Sequence, residues 1–375
     1  MFTRRTMAKF AAFAPLLASN AYAATPGRTA GSAPALEVER RSLDELHKAA
    51  IAEGGKLVVY GGGDIPNGAA GMEQAFAKRF PGVTARILID RSKYQGVRID
   101  NQLELDALQC DVAHVLAWQY YDRWKANGEL LAYKPLGWDA VYPDFKDPDG
   151  MITSVAIYAF SSLINKSKIA ENEAPFDALD FLNPKLKGQI ALTYPQDDDS
   201  ILYQFERIVA EHGWDYIEKL IEQDVIWNRG SGITRRRVEN GEAAVSFTTS
   251  GPIVANPKGP TQFLLPKTGS FLSWAHPGAI FRRAKHPAAA KLYMSWLLSE
   301  ENQGTKRSWS VREDMPPPEG MEPIFAYKTY PIHFREFLRD RARIETFRDQ
   351  LEQYIGPMQG ENPTKVEGVF PEGRA

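Results

Sequence analysis

Two long apolar segments limit the folds open to this chain more than any other feature of its sequence. Residues 151–164 form a run of β-type residues without turn residues, and residues 271–281 form a second apolar run. The first run leads from one set of alternating strand and helix patterns to another, and the second run leads back. The sequence therefore predicts two α/β lobes joined by a two-strand hinge.

Each lobe shows the strand and helix alternation that builds a mostly parallel sheet with flanking helices. Strand patterns of the first set cover residues 56–60, 84–89 and 111–116. Those of the second set cover residues 189–193, the region near Val225, and residues 243–247. Ligands of such folds bind beyond the carboxyl ends of the strands, so the site is expected in the cleft between the lobes.

The predicted lobe boundaries follow from the two hinge segments. The first lobe takes residues 41–152 and 276–355, and the second takes residues 153–275. Ser42 and Glu45 form a capping-box pattern that predicts the first helix of the first lobe. Residues 24–40 are predicted to be a flexible spacer, and residues 356–375, rich in glycine, proline and charge, a mobile tail.

The first residues have the pattern of an export signal. Arg4, Arg5 and Lys9 precede an apolar run that is too short to span a bilayer. The Ala21-Tyr22-Ala23 sequence is typical of a signal-peptidase site, so residues 1–23 are predicted to be cleaved after Ala23. Residues 3–9 also resemble a twin-arginine signal. We expect a periplasmic protein.

Composition and motifs disfavour several classes of function. Removing residues 1–23 takes away three basic and no acidic residues, which moves the formal net charge from −2 to −5. We therefore expect no nucleic acid partner and no membrane insertion. The single Cys110 excludes an internal disulfide. The sequence has no nucleophile elbow and no metalloprotease motif, so we expect no enzyme, no cofactor and a monomeric protein.

A set of segments, in the expected order, carries a resemblance to a known family. The main one runs from Ala284 to Gln303, where Pro287 opens a predicted helix with Tyr293 and Trp296 on its buried stripe. The others are residues 57–64, 110–116, 181–192 and 239–245. Together they resemble the periplasmic solute-binding proteins of ABC importers, of the type II fold and its iron(III)-type cluster. The resemblance implies that the chain binds a small-molecule ligand and delivers it to the transmembrane subunits of an ABC permease.

The sequence departs from the iron-binding members just after this helix. Those members carry two adjacent tyrosines there, whose phenolates suit iron(III), whereas this chain has Trp309 and Arg312 in that segment. The favoured ligand is therefore a small organic solute with an anionic group. Capture of ferric iron or another metal, through Tyr120 or Asp197, remains an alternative, as does a ligand-sensing partner of a membrane receptor.

Candidate ligand residues lie where loops follow strands. Glycine-rich turns, hydroxyl groups and a few charges are suited to binding an anion, and aromatic residues are suited to an organic solute. The candidate residues are Gly62, Gly63, Asp64, Trp118, Tyr158, Asp198, Ser200, Arg229, Ser231, Gly232, Thr248, Thr249, Trp309 and Arg312. Ordinary tight turns, helix caps and core aromatics explain the same patterns without a ligand.

Overall fold

The computed structural model describes residues 35–254, 256–305, 308–329 and 331–371 of the 375-residue chain. The predicted signal peptide and residues 24–34 of the predicted spacer lie outside this part. The strands are β1 (Glu37–Val38), β2 (Lys56–Gly62), β3 (Thr84–Asp90), β4 (Val112–His114), β5 (Tyr133–Lys134), β6 (Thr153–Asn165), β7 (Ala191–Thr193), β8 (Ile226–Asn228), β9 (Val245–Thr249), β10 (Thr261–Leu264) and β11 (Leu272–Ile280).

The helices alternate with these strands. They are α1 (Leu43–Ala52), α2 (Ala70–Arg79), α3 (Ser92–Glu104), α4 (Trp118–Ala126), α5 (Asp199–His212), α6 (Asp215–Ile221), α7 (Ser231–Glu239), α8 (Pro287–Leu297), α9 (Glu300–Thr305), α10 (Pro331–Arg339) and α11 (Arg341–Ile355). Within the described residues, no helix is both long and apolar enough to cross a membrane.

The strands β6 and β11 join two α/β lobes. Residues 272–276 of β11 pair antiparallel with residues 156–160 of β6, and the far end of β11 pairs with β4. The strand order β11-β4-β2-β3 forms the sheet of the first lobe, in which β2 pairs in parallel with β3 and β4. The far half of β6 pairs with β9 and β10 in the second lobe, beside the parallel pair β7 and β8. The predicted two-lobed α/β architecture is confirmed.

The helix α8 anchors the core of the first lobe. It begins at Pro287, as predicted, because the missing N–H of proline costs nothing in the first turn. Its Tyr293 and Trp296 pack edge-on against Phe76 of α2, with ring centroids 5.5 and 5.3 Å apart. The aromatic contacts fix α2 against α8, and α2 in turn supports the loop that follows β2.

The start of α1 depends on the predicted capping box. The Ser42 hydroxyl accepts a hydrogen bond from the Glu45 N–H, and the Glu45 carboxylate accepts one from the Ser42 N–H. We expect Ser42→Ala to lower the free energy of unfolding by about 1 kcal/mol, because it leaves N–H groups of the first turn without a partner. Urea denaturation measures this loss. Ser42→Thr keeps the hydroxyl, and an equal loss in that variant would contradict the capping role.

The structure differs from the predicted boundaries at three places. Glu37 and Val38, assigned to the spacer, pair in parallel with β5. The helix α11, assigned to the first lobe, packs on the second, where Trp214 stacks on Tyr354 at 5.0 Å and Arg348 binds Asp199. Residues 356–371, predicted to be mobile, make specific hydrogen bonds to both lobes. Helix α11 also buries Ile344, Phe347 and Leu351, but their spacing does not indicate which lobe the helix packs on.

Candidate functional site

A cavity of about 390 Å³ lies between the two lobes. The first lobe lines it with the loop after β2 and the turn between β3 and α3, and the second lobe with the N-termini of α5 and α7. Hinge residues of β6 and β11 close its inner end. The carboxyl ends of the parallel strands β2 and β3 point to this cavity, as the general rule for open α/β sheets requires.

The loop after β2 connects the two lobes through Asp64. Its carboxylate accepts hydrogen bonds from the backbone N–H and the hydroxyl of Ser231, and from the Gly232 N–H at 3.2 Å. These groups form the N-terminus of α7, whose partial positive charge favours a carboxylate. A Cβ atom on Gly62 would collide with the Ser92 hydroxyl, so glycine at this position lets the loop approach α3.

A group of charges around Asp197 forms a second connection between the lobes. The Asp197 carboxylate binds Arg91 of the first lobe at 2.7 Å and Arg229 of the second at 3.0 Å, and its carbonyl accepts a hydrogen bond from Lys93. The side chains of Asp197 and Arg91 are 0% and 4% exposed. Such a buried pair needs several hydrogen bonds to offset desolvation, and Asp197 has them.

Lys93 is less well compensated than its neighbours. Its ammonium lies 3.8 Å from the Asp197 carboxylate, which two guanidinium groups already share. Burial lowers the pKa of Lys93 below its usual value, and the attraction of Asp197 only partly opposes this. Because Lys93 also lines the cavity, an anion bound there would stabilise its charged form.

The two acids that follow Asp197 face different environments. Asp198 caps α5 by accepting hydrogen bonds from the N–H and hydroxyl of Ser200, and burial raises the pKa of its carboxyl. Burial also acts on Asp199, but Arg348 and Arg341 outweigh it and lower the pKa of that carboxyl. Helix capping and ion pairs thus account for most of the acidic run, and all three acids also line the cavity.

The hinge supplies an aromatic wall. Tyr158 is 41% exposed although it lies on a central strand, and its ring lines the cavity beside Trp274 and His276, with ring centroids 5.6 and 5.3 Å away. Deeper in the cavity, Tyr293 is 0% exposed and its hydroxyl has no hydrogen-bond partner among the described residues. An exposed ring and a buried hydroxyl at one cavity are suited to a ligand with an organic frame and a polar group.

The structure places most of the predicted site residues around this cavity. Those that line it are Gly62, Gly63, Asp64, Tyr158, Asp198, Ser200, Ser231, Gly232 and Thr249, together with Asp197 of the metal alternative. Arg229 stands directly behind them, with its guanidinium on Asp197.

Two predicted aromatic residues lie away from the cavity lining. Trp118 is buried at the start of α4, where Arg335 lies 4.2 Å from the centre of its ring. Trp309 is buried between Phe271 and Tyr327, and its indole N–H donates to the Glu322 carbonyl. Both pack as core aromatics and, contrary to the prediction, neither lines the cavity.

Three predicted polar residues are also held elsewhere. The Arg312 guanidinium binds Asp314 at 2.6 Å and Glu300 at 3.1 Å. The Thr248 hydroxyl accepts a hydrogen bond from the Thr193 N–H inside the sheet, because alternate residues of a strand face opposite sides. Tyr120 of the metal alternative donates its hydroxyl to the Lys93 carbonyl.

Several lining residues were not among the predicted ligand residues. Arg91 and Lys93 lie at the turn into α3, which begins at Ser92. Their position after a strand in the first lobe was the available signal. Trp274, His276 and Tyr293 line the cavity as well. No group of three or more His, Cys, Asp or Glu side chains in the described part of the chain is arranged to hold a metal ion.

Comparisons with solved structures show the same fold. The iron-bound HitA from Pseudomonas aeruginosa has a TM-score of 0.59 and 17% identity, covering 79% of this chain and 99% of its own. AfuA from Actinobacillus pleuropneumoniae, with fructose-6-phosphate bound, has a TM-score of 0.63 and 18% identity, covering 80% of this chain and 98% of its own. A substrate-binding protein of an ABC transporter from Agrobacterium tumefaciens has a TM-score of 0.67 and 16% identity, covering 80% of this chain and 94% of its own.

Sequence comparison gives the family. No protein with a curated description matches the chain. The family model for bacterial extracellular solute-binding proteins matches residues 114–309, more than half of the 375 residues, and confirms the resemblance seen in the sequence motifs. With its two lobes around one cavity, this chain belongs to the family of bacterial extracellular solute-binding proteins.

Proposed function

We propose that this protein binds a small organic solute with an anionic group in the cavity between its lobes and delivers it from the periplasm to an ABC permease. The observation that carries the anionic preference is the environment of Lys93. The neighbouring Asp197 carboxylate also pairs with Arg91 and Arg229. Burial lowers the pKa of Lys93. A ligand anion beside Lys93 would supply the charge that the protein itself supplies only in part.

The cavity wall supports the organic part of this proposal. Tyr158 presents its ring to the cavity, next to Trp274, and planar or apolar parts of a solute pack on such surfaces. The Tyr293 hydroxyl, which has no hydrogen-bond partner in the described part of the chain, offers one hydrogen bond at the buried end. AfuA, which has the same fold, was solved with bound fructose-6-phosphate, a solute that combines an organic frame with an anion.

Transport follows from closure of the lobes. Groups from both lobes line the cavity, so a bound solute favours the closed state in proportion to its contacts with both sides. The transmembrane subunits of a permease would then recognise the closed form, and the protein would act as a monomer without turning over its ligand. Ferric iron is the competing cargo, since HitA, which has the same fold, was solved with iron bound.

A thermal-shift screen tests the ligand class. The exported protein is heated with anionic organic solutes such as sugar phosphates and phosphonates, with amino acids, polyamines and neutral sugars, and with iron(III) alone and with citrate. A ligand that binds only the folded state at about 100 times its dissociation constant adds about 2.7 kcal/mol of stability. We expect a rise in melting temperature with an anionic solute. A shift with iron(III) alone would establish the metal alternative.

The role of Tyr158 is tested with the solute found in that screen. We expect Tyr158→Ala to weaken binding at least about fivefold, because stacking on an aromatic ring contributes about 1 kcal/mol beyond its buried area. Tyr158→Phe should retain most of the affinity. Isothermal titration calorimetry measures both, and Tyr354→Ala, which removes a ring 38% exposed on α11, is the matched control. Unchanged binding in Tyr158→Ala would exclude this ring as a ligand contact.

A further inference from the structure

The segment after α11, residues 356–371, crosses from the second lobe to the first. Glycine and proline recur along it, and it contains no helix or strand. Yet Thr364 in its middle is buried, which is unusual for a chain end of this composition. The segment as a whole has contacts on both sides of the cavity.

The first part of this segment is held by the second lobe. The Gly356 carbonyl accepts a hydrogen bond of 2.8 Å from Gln196, and the Gly360 carbonyl accepts one of 3.2 Å from Arg229. Pro363 lies against Gly230 at the entry to α7, where a Cβ atom would be 3.2 Å from the proline ring. These contacts place the segment beside the Asp197 charge group.

The second part is held by the first lobe. The Thr364 hydroxyl donates a hydrogen bond of 2.6 Å to the buried carboxylate of Asp90. The Gly368 carbonyl accepts from Arg98 at 3.0 Å, and the Val369 carbonyl accepts from Gln102 at 2.7 Å. All three partners belong to the end of β3 or to α3, so this part is fixed to the same turn that carries Arg91 and Lys93 into the cavity.

We propose that residues 356–371 form an interlobe clasp that stabilises the closed cleft before any solute is bound. A movement that separates the lobes must break one of the two sets of hydrogen bonds, because each set fixes the segment to a different lobe. The hydrogen bond between Thr364 and Asp90 is buried, so its donor and acceptor find no water until the segment lifts away. The clasp therefore restrains opening, whichever solute the cavity takes.

Two variants separate the clasp from a merely structural tail. Thr364→Val removes one hydroxyl while keeping the side-chain shape, and deletion of residues 356–375 removes the whole segment. Spin labels at Lys78→Cys on α2 and Lys219→Cys on α6 report the distance between the lobes by pulsed electron resonance. The native Cys110 is buried, and burial raises the pKa of its thiol, so labelling is directed to the introduced cysteines.

In the solute-free protein, we expect one dominant, short interlobe distance. Deletion should raise the population at longer distances at least tenfold, and Thr364→Val should raise it in the same direction by a smaller factor. Glu367→Gln, at an exposed position of the same segment, should leave the distances unchanged. If the deletion variant does not fold, Thr364→Val alone decides.

Two results would overturn the clasp. One is an unchanged distance distribution in folded variants that lack the Thr364 hydroxyl or the segment. The other is an open distribution in the solute-free parent chain, since a clasp that restrains opening must keep the cleft closed there. Neither result depends on the identity of the solute, so this experiment tests the clasp independently of the proposed ligand class.

Discussion

Replacing Asp197 by asparagine is expected to lower the free energy of unfolding by about 3 kcal/mol. Asparagine keeps the shape of the side chain and one carbonyl oxygen but removes the negative charge. Arg91, 2.7 Å away and almost fully buried, then lacks its main counter-ion, and Arg229 loses the partner it contacts at 3.0 Å. The cost of a buried, uncompensated charge exceeds that of a lost surface pair several times over.

Opening of the cleft limits the loss of unfolding free energy in Asp197→Asn. Arg91 belongs to the first lobe and Asp197 to the second, so separation of the lobes would let water reach the guanidinium. This relief keeps the expected effect at the lower end of the range for buried pairs, about 3 to 5 kcal/mol. The variant should also spend more time open, which lowers its affinity for solute.

Urea denaturation measures the expected loss in Asp197→Asn. The matched control is Asp224→Asn, which breaks an exposed pair with Lys187 at 3.5 Å and should change the free energy of unfolding by less than about 0.5 kcal/mol. If Asp197→Asn lowers the free energy of unfolding no more than the control does, solvent already screens the charges around Asp197.

The local part of the site could be predicted from sequence because it depends on neighbours along the chain. The glycine turn and Asp64 directly follow β2, and Ser231 and Gly232 begin α7 after a strand. Within each parallel α/β lobe such turns lie at one edge of the sheet, so each turn could be assigned to the ligand-binding edge of its own lobe without knowledge of tertiary contacts. The structure places these turns at one cavity.

The partners of these residues could not be predicted in the same way. Asp64 binds the N-terminus of α7, 167 positions later in the sequence, and Arg91 binds Asp197 across the cleft. Periodicity and turn chemistry depend on residues close together in the sequence. They do not indicate which surface of one lobe contacts which surface of the other. Trp309 was misplaced for the same reason, because its burial depends on Phe271 and Tyr327.

The segment after α11 shows a different limit. Its glycine, proline and charged residues predict mobility, whereas residues 356–371 make specific hydrogen bonds to both lobes. Order here comes from side chains of other elements, such as Arg98 and Gln102, that donate to its carbonyls. A segment without regular structure can be ordered when the rest of the protein satisfies its backbone.

Lys93→Met is expected to weaken binding of an anionic solute tenfold to a hundredfold. A hydrogen bond between an ammonium and an anion contributes about 1.5 to 3 kcal/mol, which corresponds to this range of dissociation constants. The variant should remain as stable as the parent chain or become more stable, because burial lowers the pKa of Lys93 and thus penalises its charged form in the folded state. A loss of binding therefore cannot be assigned to unfolding.

The pH dependence of binding gives a second test of Lys93. Its pKa in the solute-free protein lies below the ordinary value of 10.5, so the ammonium loses its charge as the pH rises through that lowered pKa. Affinity for the anionic solute should be complete below this pKa and fall above it, with protons taken up on binding in the alkaline range. Calorimetry from about pH 7 to about pH 10 in two buffers of different ionisation enthalpy measures both effects.

Lys78→Met, at an exposed position of α2, is the control for removal of a positive charge. It should preserve both the affinity and its pH dependence, because exposed charges beyond about 10 Å are screened at 0.1 M salt. In Lys93→Met the alkaline fall in affinity should disappear, since the ammonium that loses its charge over this pH range is absent. A Lys93→Met protein that binds the anionic solute as tightly as the parent chain, with the same pH profile, would remove the basis for the anionic preference and leave the aromatic wall as the main source of affinity.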